Sequence, residues 1–176
     1  MRSLFRAFIA CALFVSVFAG THAKAQGGIG FEEGEGGLVP IYRLLNPSFF
    51  DHLWSTSPTE GAPSYQLEGV AFNLYPFQFP GTQPLFRCFL PAYGHFISLD
   101  GACEAARRPA EGILGYVLSG PAVDHDQLIR CHRVLPGNRV HFLTTTSYQE
   151  CVTAAHTYDG PQGFAPREFV DLTIIR

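Results

Sequence analysis

The chain has 176 residues, is rich in glycine (18), proline (13) and phenylalanine (16), and carries 12 basic against 15 acidic side chains. Its one lysine is Lys24, so everything after that position lacks the amine needed for a Schiff base, a P-loop or a lysine general base. An acid excess with few cations also argues against nucleic acid or an anionic membrane surface as a partner.

In chain order, Met1 to Arg6 is a short basic stretch, and Ala7 to Gly20 is a run of 14 uncharged residues. Ala23-Lys24-Ala25 then supplies the small-x-small pattern of a signal-peptidase site. Cleavage is expected after Ala25. The apolar run is too short to span a bilayer comfortably, so no membrane span is expected to remain, and the mature protein is placed in the periplasm or outside the cell. Removal of residues 1–25 takes away Arg2, Arg6 and Lys24, leaving nine basic against 15 acidic residues, a net charge of −6. Residues 26–38, dominated by glycine and glutamate, read as a flexible leader. Residues 39–176 are long enough for a single domain with its own core, expected to be a monomer.

The following segments read as short strands. Ile41 to Leu45 is apolar and closes on the turn pair Asn46-Pro47; His52 to Thr56 alternates; Val70 to Tyr75 is aromatic-rich. Residues 100–108 and 147–156 have room for one helical turn each, the first limited by Pro109.

The same pattern then returns. Val39-Pro40-Ile41-Tyr42-Arg43-Leu44 is matched by Gln83-Pro84-Leu85-Phe86-Arg87-Cys88 and by Gln127-Leu128-Ile129-Arg130-Cys131. His52, His95 and His141, each followed by an apolar residue, mark a second anchor, and Gly69, Gly112 and Gly163 a third. A repeat of ~45 residues, over about 39–82, 83–126 and 127–172, predicts an all-β, pseudo-threefold, β-trefoil-like module, because closure removes sheet edges that one copy would expose. A small propeller-like arrangement is the alternative.

The repeat also orders the cysteines. Cys88 and Cys131 share one position, Cys103 and Cys151 another, and the first copy lacks both. Joint absence predicts the pairs Cys88–Cys103 and Cys131–Cys151, each worth roughly 3 kcal/mol in the chain-entropy picture, in an oxidising compartment.

Arg43, Arg87 and Arg130 lie inside apolar strands and need partners. Glu68 and Glu111 suit the first two; Asp124, Asp126 or Asp159 could serve the third. Three arginines and three histidines at recurring places predict scaffold roles, with three equivalent pockets for a sugar or an acidic group as the functional alternative. Asp51-His52 beside Ser55, Thr56 and Ser57 has the residue types of a hydrolase, but a triad needs one asymmetric site, and no catalytic residue is assigned. Asp124-His125-Asp126 and Cys131-His132 lack a third metal ligand, so neither metal nor cofactor is expected. The remaining candidates for ligand contact are the aromatics Trp54, Tyr75, Phe77 and Phe79, whose flat faces suit sugar stacking. The expected function is a secreted, non-catalytic binding module for an extracellular glycan or a surface protein. A protein-binding inhibitor or effector, or a small secreted hydrolase, are the other readings.

The strings Val39 to Pro47, Asp51 to Ser57 and Leu67 to Phe72 resemble the DUF5648 repeat, and the form with cysteine after the arginine is similar to a variant of that family. The resemblance covers about residues 39–172, with a departure at Phe164-Ala165-Pro166. It implies a secreted accessory module of a kind found beside hydrolase domains, and it carries over no catalytic residue.

Overall fold

The structure, a computed structural model, describes residues 37–104 and 108–167. The expected signal peptide and nearly all of the leader lie outside the described residues, as does the far C-terminus. The regular structure of the described residues is strand apart from one short helix: β1 (Val39–Asn46), β2 (Asp51–Ser55), β3 (Gln66–Leu74), β4 (Thr82–Leu90), β5 (Gly94–Ser98), β6 (Gly112–Leu118), β7 (His125–Leu135), β8 (Arg139–Thr145) and β9 (Thr157–Pro166), with α1 (Tyr148–Thr153) as that helix. Strands begin a residue or two before the expected points, and β3 extends back to Gln66. The expected helical turn at 147–156 is α1, started by Ser147, whose side chain accepts from the Glu150 amide.

Three antiparallel triples make up the body. One sheet has the order β2-β1-β3; the other, β5-β4-β6-β9-β7-β8, is two triples joined at the single pair Leu118–Phe164. In every triple the first strand in sequence is central, flanked by the second and third. Pro47, Pro91 and Pro136 open the three hairpin turns, where proline's fixed φ suits the bend. The second strands β2, β5 and β8 touch one another in pairs, and so do the third strands β3, β6 and β9.

Bulges recur at matching places. The register shifts between Ile41 and Tyr42, between Leu85 and Phe86, and between Leu128 and Ile129, each just ahead of the arginine. The extra residue twists the central strand and turns Ile41, Leu85 and Leu128 fully into the core. Trp54, Leu74, Ile97 and Val117, also fully buried, complete it, at roughly 1.5–3 kcal/mol per large side chain withdrawn from water. Leu44, Cys88 and Cys131, the residues after each arginine, are buried too. The disulfides join Cys88 to Cys103 (Cα–Cα 5.7 Å) and Cys131 to Cys151 (6.1 Å), the pairs expected from the joint absence in the first segment. Leu44 fills that place with a side chain instead.

Candidate functional site: the arginine seams

Each arginine leaves the middle of a central strand and is held from two sides. Nε donates to an acid on, or immediately before, the third strand of its own triple: Arg43 to Glu68 (2.6 Å), Arg87 to Glu111 (2.8 Å), Arg130 to Asp159 (3.2 Å). Nη1 reaches across to an acid of the neighbouring triple: Arg43 to Glu150 (2.8 Å), Arg87 to Glu60 (2.9 Å), and Arg130 to Glu104. Those three acids are positioned alike. Glu60, Glu104 and Glu150 accept from Ser55, from Ser98 (3.0 Å) and from Thr145 (2.5 Å), the hydroxyl residues that end β2, β5 and β8. The links therefore run in a cycle, first triple to second, second to third, third to first. A planar guanidinium can serve two carboxylates at once, which a lysine could not do with comparable geometry.

Among the described residues, clefts open at two of the seams. The cleft between the first and second triples, about 200 Å³, is lined by Ser55, Thr56, Glu60, Arg87, Glu111 and Ile113 among others. The cleft between the third and first, about 210 Å³, has Arg43, Glu68, Val70, Thr145, Ser147 and Glu150 in the corresponding places. Each has a charged floor and an apolar wall, Ile113 (51% exposed) in one and Val70 (56%) in the other. Each also holds two carboxylates to one guanidinium. The Arg87 hydrogen bond holds the Glu60 carboxyl below its ordinary range. A hydrogen bond from His52, with Arg43 beside it, carries Glu68 down to about 2. Both clefts are therefore net negative at neutral pH.

The register revises the expected equivalence of the histidines. Counted from the arginine, His52 pairs with Leu45 and His95 with Phe89, but the matching pair in the third triple is His132–Phe142. His141 stands one residue earlier, at the position of Asp51 and Gly94, because β7 and β8 extend their hairpin further. The third glycine is likewise Gly160 opposite Arg130, not Gly163. Gly69 and Gly160 share a φ near +143°, which L side chains avoid. The acid-glycine step is thus Glu68-Gly69, Glu111-Gly112 and Asp159-Gly160.

These positions meet across the seams. Asp51 accepts from the His95 backbone amide and Nδ1, both at 2.7 Å, and from Tyr65 at 2.5 Å. Burial opposes its ionisation, but these bonds outweigh it and hold the carboxyl below the ordinary value. Gly94 faces Asp51 so closely that a Cβ would collide with it. At the corresponding place His141 Nε2 lies 3.0 Å from His52 Nδ1. Asp51 thus serves His95 of the next triple, and Ser55 serves Glu60, so the hydrolase parts read from residues 51–57 are not brought together.

Of the aromatics expected at a ligand, Trp54 is 0% exposed and belongs to the core; its bulk fills the interior where Ile97 sits in the second triple. Tyr75, Phe77 and Phe79 do form a surface group: Tyr75 and Phe79 pack edge to face at 4.8 Å, and Phe77 is 56% exposed. His125 starts β7 and bonds the Tyr75 hydroxyl at 2.8 Å. Asp126 pairs with Arg167, and His132 with Asp159. Among the described residues no three His, Cys, Asp or Glu side chains are placed to share a metal ion. Sequence reading missed Glu60, Glu104 and Glu150. Their signal is a near-constant offset, five or six residues beyond Ser55, Ser98 and Thr145.

A family model described as a domain of unknown function (DUF5648) matches residues 19–118, which include the first two triples. No curated protein and no solved structure matches the chain.

Proposed function

The chain belongs to the DUF5648 family, and on that premise we propose that it is an exported, non-catalytic binding module that takes single sugar units in its seam clefts. The reading includes a trefoil-like closure of the three triples about a pseudo-threefold axis. Support for closure comes from the cyclic arginine links and the mutual contact of β2, β5 and β8.

One observation carries the binding reading: a cleft with carboxylates, a guanidinium and hydroxyls below and one exposed apolar residue above occurs twice, at matching places. Vicinal sugar hydroxyls need donors and acceptors in one plane, and the C–H face of the ring needs an apolar wall. At about 200 Å³ each cleft falls below the roughly 300–1,000 Å³ of pockets that enclose drug-sized ligands. It suits one small unit, with strength coming from a polymer that meets several clefts at once. The surplus carboxylate repels anions, so uronic acids and the acidic group considered from sequence are disfavoured against neutral or amino sugars.

A glycan array on the exported protein tests this directly. Binding to neutral or amino polysaccharides is expected, with an affinity loss of about tenfold for Ile113→Ser and for Glu111→Gln. Preference for acidic glycans, or no binding at all, contradicts it. The Tyr75–Phe77–Phe79 group is the second reading, favoured by the exposed Phe77 ring; Phe77→Ala separates the two.

A further inference from the structure

A string of imidazoles crosses the seam between the third and first triples. His52 Nε2 lies 3.2 Å from Glu68 Oε2, His52 Nδ1 3.0 Å from His141 Nε2, and His141 Nδ1 2.9 Å from His156 Nε2. The last atom, His156 Nδ1, is buried with no hydrogen-bond partner in reach among the described residues. His52 and His141 are only 8% and 6% exposed. One proton per ring, passed in one sense, satisfies every link. In that arrangement His52 donates to Glu68, His141 to His52, and His156 to His141.

Among the described residues, the same seam is the one without ladder bonds. β3 and β6 share the Tyr75–Tyr116 bridge, and β6 and β9 share Leu118–Phe164. β3 and β9 are in contact, yet β3 is paired in its sheet only to β1. A groove of about 330 Å³ runs between them, lined by Val70 to Asn73 on one side and Ala165 to Arg167 on the other.

We propose that this seam is an acid-sensitive switch: two protons taken up by the His52–His141–His156 string part the third triple from the first and dismantle the Arg43–Glu68–Glu150 cleft, while the Arg87–Glu60–Glu111 cleft keeps its form. The first extra proton is accommodated by reversing the string, which leaves the positive charge on the ring beside Glu68. A second has no such outlet. It forces two N–H groups to face each other across about 3 Å in a buried site, at the cost of an unsatisfied donor and a like-charge contact.

The surroundings agree with this. Burial, His52, His156 and Arg133 all favour the neutral form of His141 and lower it to about 3; Asp51 alone opposes. Burial and Arg133 lower His156 as well, with weaker help from His52 and His132 and against the nearby Ala154 backbone, which raises it. Around the string, β3 presents Glu68, β1 Arg43, β7 Arg133 and His132, and α1 Glu150. β5 presents His95, already committed to Asp51. The sign follows from linkage. In the parted form His141 binds a proton at the ordinary histidine value of 6.5 and in the closed form only at about 3, so closure is complete above 6.5 and weakens as pH falls below it.

The other seams supply controls. Their equivalent positions hold Asp51 with His95, and Gly94 with Phe142, the last pair having nothing to titrate. The switch stands on its own geometry; only its consequence for ligand rests on the sugar-cleft reading. Amide hydrogen exchange of the exported protein at pH 7 and pH 5, corrected for intrinsic rate, tests it without ligand. Exchange in Val70–Leu74 and Val140–Thr145 is expected to rise by about tenfold or more at pH 5, with Leu85 and Val117 unchanged. His52→Phe combined with His141→Gly, which copies the Phe142 and Gly94 arrangement, is expected to abolish the rise. A uniform change across all seams, or a response that survives in the variant, overturns the proposal. Should the double variant not fold, NMR titration of the wild-type imidazoles decides: His141 protonating near 6.5 without loosening the seam also overturns it.

Discussion

Where the first triple meets the second, Asp51 receives His95 at 2.7 Å; where the third meets the first, the same two register positions hold His141 and His52 at 3.0 Å. The backbone, the bulge and the arginine clamp are alike at both seams. The first pair is a carboxylate with its donor, stable wherever the carboxylate is ionised. The second is an imidazole pair with room for one extra proton, beside Glu68, and none for a second. A common scaffold has thus been filled with groups that answer acid in different pH ranges.

The comparison can be broken most forcefully at Trp54 and Thr144, which occupy matching positions in the first and third triples. Trp54→Ala should cost about 3–5 kcal/mol in urea denaturation, because the indole fills the core. Thr144→Val should cost almost nothing or stabilise, since the Thr144 hydroxyl is buried without a partner. Similar losses at both places would deny the two seams their different interiors.

Asp51→Asn comes next, at about 1.5–3 kcal/mol, the usual size for a buried hydrogen bond to a charged group. Because the Asp51 carboxyl is held below its ordinary value, its contribution is present above that value and lost as pH falls through the lowered one. Wild type and variant should therefore differ at pH 7 and converge in strong acid. A constant gap across pH would mean that the charge is not what matters. Glu68→Gln is the mildest test. Glu68 is partly exposed and its ion pair with Arg43 is screened, so about 1 kcal/mol or less is expected at neutral pH. That contribution should fade between 4.5 and about 2, which denaturation curves at stepped pH will show.

Local pattern made the β character, the turn prolines and the cysteine pairing legible, since each depends on neighbours in sequence or on what a position holds in all three segments. Arg43, Arg87 and Arg130 were visible as buried cations in need of acids. Their second partners, Glu60, Glu104 and Glu150, are not legible from the arginine's own segment, because each lies in a neighbouring triple. His141 was misplaced by one residue for a related reason. The match of His-Phe strings is a fact of composition, whereas register is set by the length of the β7–β8 hairpin. Trp54 looked like a stacking surface because an indole suits both a core and a ligand face, and only packing decides between them.

The central claim is that ligand sits in the seams and not on the aromatic surface group. Chemical-shift mapping at pH 7, with an oligosaccharide chosen from the glycan array, tests it most directly. The account predicts perturbations at Gly112 and Ile113 and at Gly69 and Val70, with Phe77 and Phe79 unmoved. Perturbations confined to Tyr75, Phe77 and Phe79, with both clefts silent, would contradict it.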